Sequence, residues 1–250
     1  MRKNIILTGL PRSGKSTIIK KIVGNKWIYG DKMSAGLFTD EILDEKMERL
    51  GFKMGYFDDF SEIIAHKSFT VPRVGKYGVR VKMIDKVCDG FLDGNHLDPI
   101  LTSNVDFYFL DEIGEMQLMS RRFKDLLSLL LKSEKPTITT MTSIFENSTT
   151  RIIKRRKDVI FIEIKPENRK EKTYLASKLL SKIKKAQEYS KEKKIWSVKK
   201  GIIYLESLTG LREIKKHNCN CLFFIDHKIC SHVIAAEEVF PDLVKLGSSF

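Results

Sequence analysis

The chain is expected to fold as an α/β protein. It should form a three-layer sandwich with helices on both faces of a mainly parallel sheet, joined through a basic helix to a small ββα zinc-binding unit. Three observations carry that expectation. Short apolar runs of buried-strand length alternate with helical-period segments through most of the 250 residues. A glycine-rich, phosphate-cradling pattern lies between the first such run and the first helix. Four Cys and His residues crowd a C-terminal stretch whose apolar content is too small for a self-sufficient core.

The elements follow in order. Ile5-Ile6-Leu7 is the first buried strand, and Ile18, Ile19, Ile22 and Val23 mark one face of the helix after it. Ala35–Thr39 reads as a short strand before the acidic residues Asp40, Glu41, Asp44 and Glu45. Leu50–Phe57 is a second apolar stretch, and Pro72–Lys76 is a turn. The alternation Tyr77, Val79, Val81, Met83 predicts a strand over 77–83. Residues 84–101 are ambiguous and partly helical. Phe107–Leu110 is a buried strand that ends in Asp111-Glu112. Ser120–Leu131 is a helix with Phe123, Leu126, Leu127 and Leu130 on one face. Pro136–Met141 is a strand with a threonine-rich tip, Thr149–Arg156 a basic helix, and Val159–Ile164 a buried strand. From Glu167 to Lys194 the chain is rich in Lys, Glu and Ser, without Gly or Pro, and Leu175, Leu179 and Ile183 form one stripe of a helix. Gly201–Glu206 and Leu211–Lys216 are strands about a Thr209-Gly210 turn, and Val233–Val239 is a short helix. Domains are expected at 1–168, 169–195 (the basic helical linker) and 196–250.

Composition narrows the function classes. No apolar run approaches the length needed to span a bilayer, so no membrane role is expected. The Met1-Arg2-Lys3 start leads into a strand too short for a signal peptide, and a cytoplasmic location is expected. The net charge of +13 is unevenly placed: residues 165–216 hold sixteen Lys or Arg against six acids. An excess of that kind favours an anionic partner, although a solvated helix face explains it equally well.

The chemistry begins at Gly9-Leu10-Pro11-Arg12-Ser13-Gly14-Lys15-Ser16-Thr17, which has the spacing of a phosphate-binding P-loop. Between a strand and a helix N-terminus, its backbone N–H groups form a nest for a polyphosphate. Lys15 is placed to reach the β- and γ-phosphates, and Ser16 to take one position on Mg²⁺. Asp111, at the tip of its strand, is placed to hold a water on Mg²⁺, and Glu112 to polarise the attacking water. Thr140 and Thr142 stand at the next strand's tip. Arg49, Arg73, Arg151, Arg155 and Arg156 are candidates for stabilising transition-state charge. Cys219-x-Cys221-x₈-Cys230-x-His232 supplies three thiolates and one imidazole, a closed set for structural Zn²⁺, with His217 and His227 as lower-ranked ligands.

Beyond these residues, ordered blocks resemble the THEP-type nucleoside triphosphatases over residues 1 to about 170. They are Gly36-Leu-Phe-Thr-Asp-Glu-Ile, Arg49-Leu-Gly-Phe52, Arg73-Val-Gly-Lys-Tyr77, Leu110-Asp-Glu-Ile-Gly-Glu-Met-Gln-Leu-Met-Ser120 and Pro166-Glu-Asn-Arg169. The resemblance implies slow, Mg²⁺-dependent hydrolysis of ATP, GTP and other NTPs. Arg12 departs from the family's usual Gly, Gln117 from its Glu, and Thr142 from its His. These departures bear on turnover and base preference and leave the phosphate cradle intact. The C-terminal Cys-x-Cys-x₈-Cys-x-His and the apolar helix after it resemble the SWIM zinc finger, which implies a DNA or protein partner; DNA is ranked above RNA. The expected function is NTP hydrolysis coupled to such a partner. The alternatives are a nucleotide or nucleic-acid kinase and a nucleotide-responsive adaptor with negligible turnover.

Overall fold

A computed structural model describes residues 1–24, 33–56, 60–70, 72–93, 105–216 and 218–247. Its main sheet has nine strands: β1 (Asn4–Gly9), β2 (Met33–Leu43), β3 (Arg49–Tyr56), β4 (Phe60–His66), β5 (Arg73–Val74), β6 (Tyr77–Val79), β7 (Val105–Ile113), β8 (Thr137–Thr142) and β9 (Val159–Glu163). Their spatial order is β5-β6-β4-β3-β2-β7-β8-β1-β9. The half containing β2, β7, β8, β1 and β9 is parallel, in register Gly9↔Thr142 and Leu37↔Leu110. The half running from β2 through β3, β4 and β6 to β5 is antiparallel. The β2–β3 hairpin closes on Asp44, whose Oδ1 accepts from the N–H groups of Lys46 and Glu48.

Alternation along the parallel strands fills both faces. Ile5, Leu7, Phe107 and Phe109 face one helical layer, and Ile6, Tyr108 and Leu110 face the other. Buried on two sides, such strands read as continuous apolar runs, which is how β1 and β7 look in the sequence. The first layer holds α1 (Lys15–Gly24), which contributes Ile18, Ile19 and Ile22. The second holds α2 (Val81–Asp93) and α3 (Arg121–Lys132). Ser120 caps α3 by accepting from the Phe123 N–H at 2.9 Å and donates to Asp85 of α2. A short helix, α4 (Ser148–Lys154), follows β8 and is closed by an Asn147–Thr150 capping box.

The strand expected over 77–83 is shorter than its alternation implies. β6 ends at Val79 and α2 begins at Val81. Val81 and Met83 fall in the first turn of a helix whose own stripe, Ile84, Val87, Cys88 and Phe91, is fully buried. Two residues at period two cannot outweigh four at helical period. The ambiguous stretch after Ile84 resolves into that helix as far as Asp93. Residues 94–101, and Phe57 at the end of the Leu50–Phe57 stretch, lie outside the described residues.

Helix α5 (Arg169–Lys191) is the long basic helix. Its stripe of Leu175, Leu179, Ile183 and Ala186 is buried in the same core as Ile5, Leu7 and α1. That core runs on without a break into the C-terminal module. There β10 (Trp196–Lys199), β11 (Ile202–Ser207), β12 (Gly210–Lys215) and β13 (Asn218–Cys219) form an antiparallel sheet. Two helices complete it, α6 (Leu222–His227) and α7 (Ser231–Val239). The module is therefore larger than ββα. Lys200 and Gly201, both at positive φ, close the β10–β11 hairpin and add a strand ahead of the expected pair. Ile203, Leu205, Ile214, Phe224, Val233 and Ile234 belong to the same buried cluster as the α5 stripe, and α7 packs along α5. At the module's far side the Arg2 guanidinium binds Glu237 at 2.7 and 3.1 Å and the carbonyls of Leu246 and Gly247 at 2.8 and 2.9 Å. Among the described residues no helix is long and apolar enough to cross a membrane.

Candidate nucleotide cleft and metal centre

The C-terminal ends of β1, β7 and β8 meet at one cleft of about 610 Å³, lined by the loop from Pro11 to Thr17 together with Asp111, Glu112 and Thr142. The loop's backbone is unusual at three points. Gly9 has φ 145°, Gly14 φ 100° and Arg12 φ 63°. A Cβ on Gly9 would lie 2.4 Å from the Ile164 carbonyl oxygen, so only glycine lets the loop leave β1 there. Arg12 takes the left-handed conformation with a side chain, at a cost of about 1 kcal/mol that glycine would not bear.

Lys15 is buried, and its Nζ donates to the loop carbonyls of Gly9 and Leu10 at 3.1 and 2.8 Å. Burial pulls its pKa down, while the charges of Glu112 and Asp111 oppose that pull. Asp111 is 2% exposed. Its Oδ1 accepts from the Ser16 hydroxyl at 2.9 Å and from the Thr140 hydroxyl. Its Oδ2 is buried with no hydrogen-bond partner among the described residues. A desolvated carboxylate oxygen with no donor is costly, and a cation would satisfy it. Burial pushes the Asp111 carboxyl up against the two hydroxyl hydrogen bonds that hold it down. Burial also raises Glu112, and Asp111's charge adds to the effect, with Lys15 and Arg49 opposing.

Of the two threonines, Thr140 is fully buried and serves Asp111 from behind, whereas Thr142 lines the cleft. Of the five arginines, Arg49 lines the cleft, paired with Glu41. Arg73 is tied to the carbonyls of Phe69, Thr70 and Lys76 within its own turn. Arg156 pairs with Asp158 ahead of β9, at the opposite end of the sheet. Arg151 and Arg155 do not line the cleft.

Arg169 matters more than its sequence position implies. Its Nε donates to the Ser13 carbonyl at 3.1 Å, and its side chain fills the space where a Cβ on Gly14 would lie. It thus buttresses the loop from the first turn of α5, a role that periodicity gives no sign of. Gln117, also buried, donates to Thr39 at 3.0 Å. Blocks far apart in the chain (Thr39 to Glu41, Arg49 to Phe52, Val74, and Asp111 to Gln117) therefore converge on one cleft.

The second site lies in the C-terminal module. Cys219, Cys221, Cys230 and His232 are all buried, and their ligand atoms lie within 4.8 Å of one another, with Cys219 Sγ 3.6 Å from His232 Nδ1. Four such atoms suit one tetrahedral cation with bonds of about 2.0–2.3 Å. β13 delivers Cys219, Cys221 caps α6, Cys230 caps α7, and His232 sits in the first turn of α7. The His232 ring packs 5.6 Å from that of Tyr189 on α5. The His227 ring instead lies tilted against that of Phe223 at 4.5 Å and is not part of the cluster, and His217 lies outside the described residues.

The NTPase family profile matches residues 4–187, and that of the SWIM zinc finger residues 203–240. The nucleoside-triphosphatase THEP1 of Thermotoga maritima is 32% identical over 181 residues, which are 72% of this chain and 95% of that protein. THEP1 of Aquifex aeolicus is 30% identical over 168 residues, 66% of this chain and 92% of that one. The crystal structure of Aquifex aeolicus THEP1 superposes with a TM-score of 0.61 at 28% identity, covering 71% of this chain and 98% of that one. The solution structure of a human cancer-related nucleoside triphosphatase shares the fold, with a TM-score of 0.55 at 22% identity over 72% of this chain and 96% of that one. With a glycine-rich loop, Asp111-Glu112 and a Cys₃His cluster where these similarities fall, the chain belongs to the THEP1 nucleoside-triphosphatase family and carries a SWIM zinc finger after its NTPase region.

Proposed function

We propose that this chain is a cytoplasmic, Mg²⁺-dependent hydrolase of ATP, GTP and other NTPs to NDP and phosphate, and that its zinc finger joins this activity to nucleic acid. The observation that carries the reading is the Asp111 carboxylate, held by Ser16 and Thr140 with one oxygen left unsatisfied beside Lys15. The backbone from Gly9 to Thr17 would bind the phosphates, and Lys15 would leave the loop carbonyls for the β- and γ-phosphates. Ser16 and Asp111 would hold Mg²⁺, which when bound neutralises charge on those phosphates. Glu112 orients the attacking water and takes its proton, and a carboxyl raised by burial suits that task. The Arg49–Glu41 pair fixes a guanidinium on the cleft wall.

Cys219, Cys221, Cys230 and His232 would hold structural Zn²⁺, because four buried ligand atoms leave no open position for catalysis. Their reduced thiols fit the cytoplasm. On this reading residues 1–168 form the NTPase unit, 169–195 a helix common to both units, and 196–250 the zinc unit. The charge excess over residues 165–216 supports a polyanionic partner.

Phosphate release with purified protein across NTPs tests the hydrolase. Lys15→Ala should abolish tight nucleotide binding, whereas Glu112→Gln should keep binding and lose at least 10²-fold in turnover, roughly the lower end for a general base. Turnover unchanged in Glu112→Gln would remove that residue from the chemistry.

A further inference from the structure

Lys170, Tyr174, Lys178 and Lys182 follow the four-residue spacing that places side chains along one ridge of α5. Beside the first half of this ridge lies a cavity of about 620 Å³ whose cations are Lys21, Arg169, Lys170 and Lys178, against a single acid, Glu167. Tyr174 borders it and is 51% exposed, so its ring is not spent on the core. Elsewhere on α5, Lys172 and Lys184 are neutralised by Glu171 and Asp106. Lys21, Lys170, Lys178 and Lys182 form no ion pair among the described residues.

The ridge continues onto the zinc finger. The Tyr174 ring lies 5.8 Å from that of His227, which lies 4.5 Å from that of Phe223. Lys178 stands over Tyr174 at 5.5 Å and Lys182 over Phe223 at 4.8 Å. Rings and cations that look scattered in the sequence therefore alternate on one surface that spans both units. Arg169 borders the same cavity and holds the phosphate-binding loop through Ser13.

We infer that this surface binds single-stranded DNA, with a base on Tyr174 and neighbouring phosphates on Lys21, Lys170 and Lys178. The inference rests on the nucleic-acid partner proposed above and names the surface that takes it. A single strand offers a π-face and a phosphate at every unit, matching the alternation of ring and cation, whereas a duplex keeps its base faces stacked. Two of the hydroxyls bordering the cavity already spend their protons on helix carbonyls, Thr173 on that of Arg169 and Ser177 on that of Tyr174. Each therefore keeps only acceptor lone pairs for a 2′-OH, the group by which RNA is told from DNA.

Fluorescence anisotropy with the full-length, zinc-loaded protein tests this, using labelled oligothymidine, oligouridine of the same length and a DNA hairpin duplex. Oligothymidine should bind more tightly than the duplex and no less tightly than oligouridine. Tyr174→Leu should weaken its binding roughly 10-fold, and Tyr174→Phe should restore it, as stacking requires. Lys170→Gln with Lys178→Gln should reduce the slope of log affinity against log salt by about 1.4, roughly 0.7 for each single-strand phosphate deprived of its lysine. Nucleotide binding at Lys15 should be unchanged in Tyr174→Leu, showing that the variant is folded. Strand binding unaltered in all three variants places the DNA elsewhere and overturns the inference while the nucleic-acid reading stands, and so does a preference for duplex or for oligouridine. Wild-type protein that binds none of the probes overturns both, and the lysine ridge then belongs to an acidic protein partner.

Discussion

Replacing Arg2 with methionine tests how firmly the zinc finger is fixed to the NTPase unit. The Arg2 side chain is 9% exposed and Glu237 is 21% exposed. The guanidinium makes two hydrogen bonds to that carboxylate and three more to the carbonyls of Leu246, Gly247 and, at 3.4 Å, Val159. In Arg2→Met, Glu237 keeps only the Leu246 N–H, at 2.9 Å, as a partner among the described residues. Removing one member of a buried ion pair costs about 3–5 kcal/mol, and the partial exposure of Glu237 puts the expected loss at the lower end, about 3 kcal/mol. For a chain of this size that is a fall of roughly 6–12 °C in Tm. Adding Glu237→Gln should recover part of the loss, because the amide oxygen can still accept from Leu246 without carrying a stranded charge. A double-mutant cycle by urea unfolding of the zinc-loaded protein should return about 1–3 kcal/mol of coupling. Arg2→Met within about 0.5 kcal/mol of wild type would refute the reasoning and show the clamp to be an exposed pair of little weight.

Three further outcomes are expected. Arg169→Ala removes the N–H bond to Ser13 and the packing beneath Gly14, and should weaken nucleotide binding roughly 10-fold, since a hydrogen bond from a charged donor contributes about 1.5–3 kcal/mol; titration with a fluorescent nucleotide reads it, and unchanged affinity would show that the loop holds its shape alone. With zinc bound, the native protein should show no reactive thiol at pH 8, and chelation should release three of the four, because Cys88 is fully buried and its thiol is pushed up to about 12; a colorimetric thiol count checks this, and early reaction of Cys88 would contradict its burial. Gly36→Ala would place a Cβ 1.9 Å from the Phe109 carbonyl oxygen, so β2 must shift away from β7, and soluble yield and Tm should both fall; a variant as stable as wild type would show that the two strands can part without cost.

The glycine-rich loop, the two acids that share its cleft and the Cys/His cluster were all legible from the sequence as patterns, because each is a local pattern with a local cause. A loop between a strand and a helix presents its N–H groups whatever surrounds it, and four potential ligands in fourteen positions can come together through short-range geometry alone. Strands β1 and β7 were equally plain, since burial on both faces leaves nothing but apolar residues to read. Only the tertiary structure decided what stands beside these patterns. It set Arg49 and Glu41 on the cleft wall and sent Arg156 to the far end of the sheet. It put Thr140 behind Asp111 rather than in front of a phosphate, and Arg169 beneath the loop. It showed α5 to be the middle of one continuous core, and aligned Tyr174 with His227 and Phe223. The physical reason is common to all of these. Each depends on the direction of a side chain across an interface between elements far apart in the chain, and sequence spacing carries no information about a vector that exists only after both elements have packed.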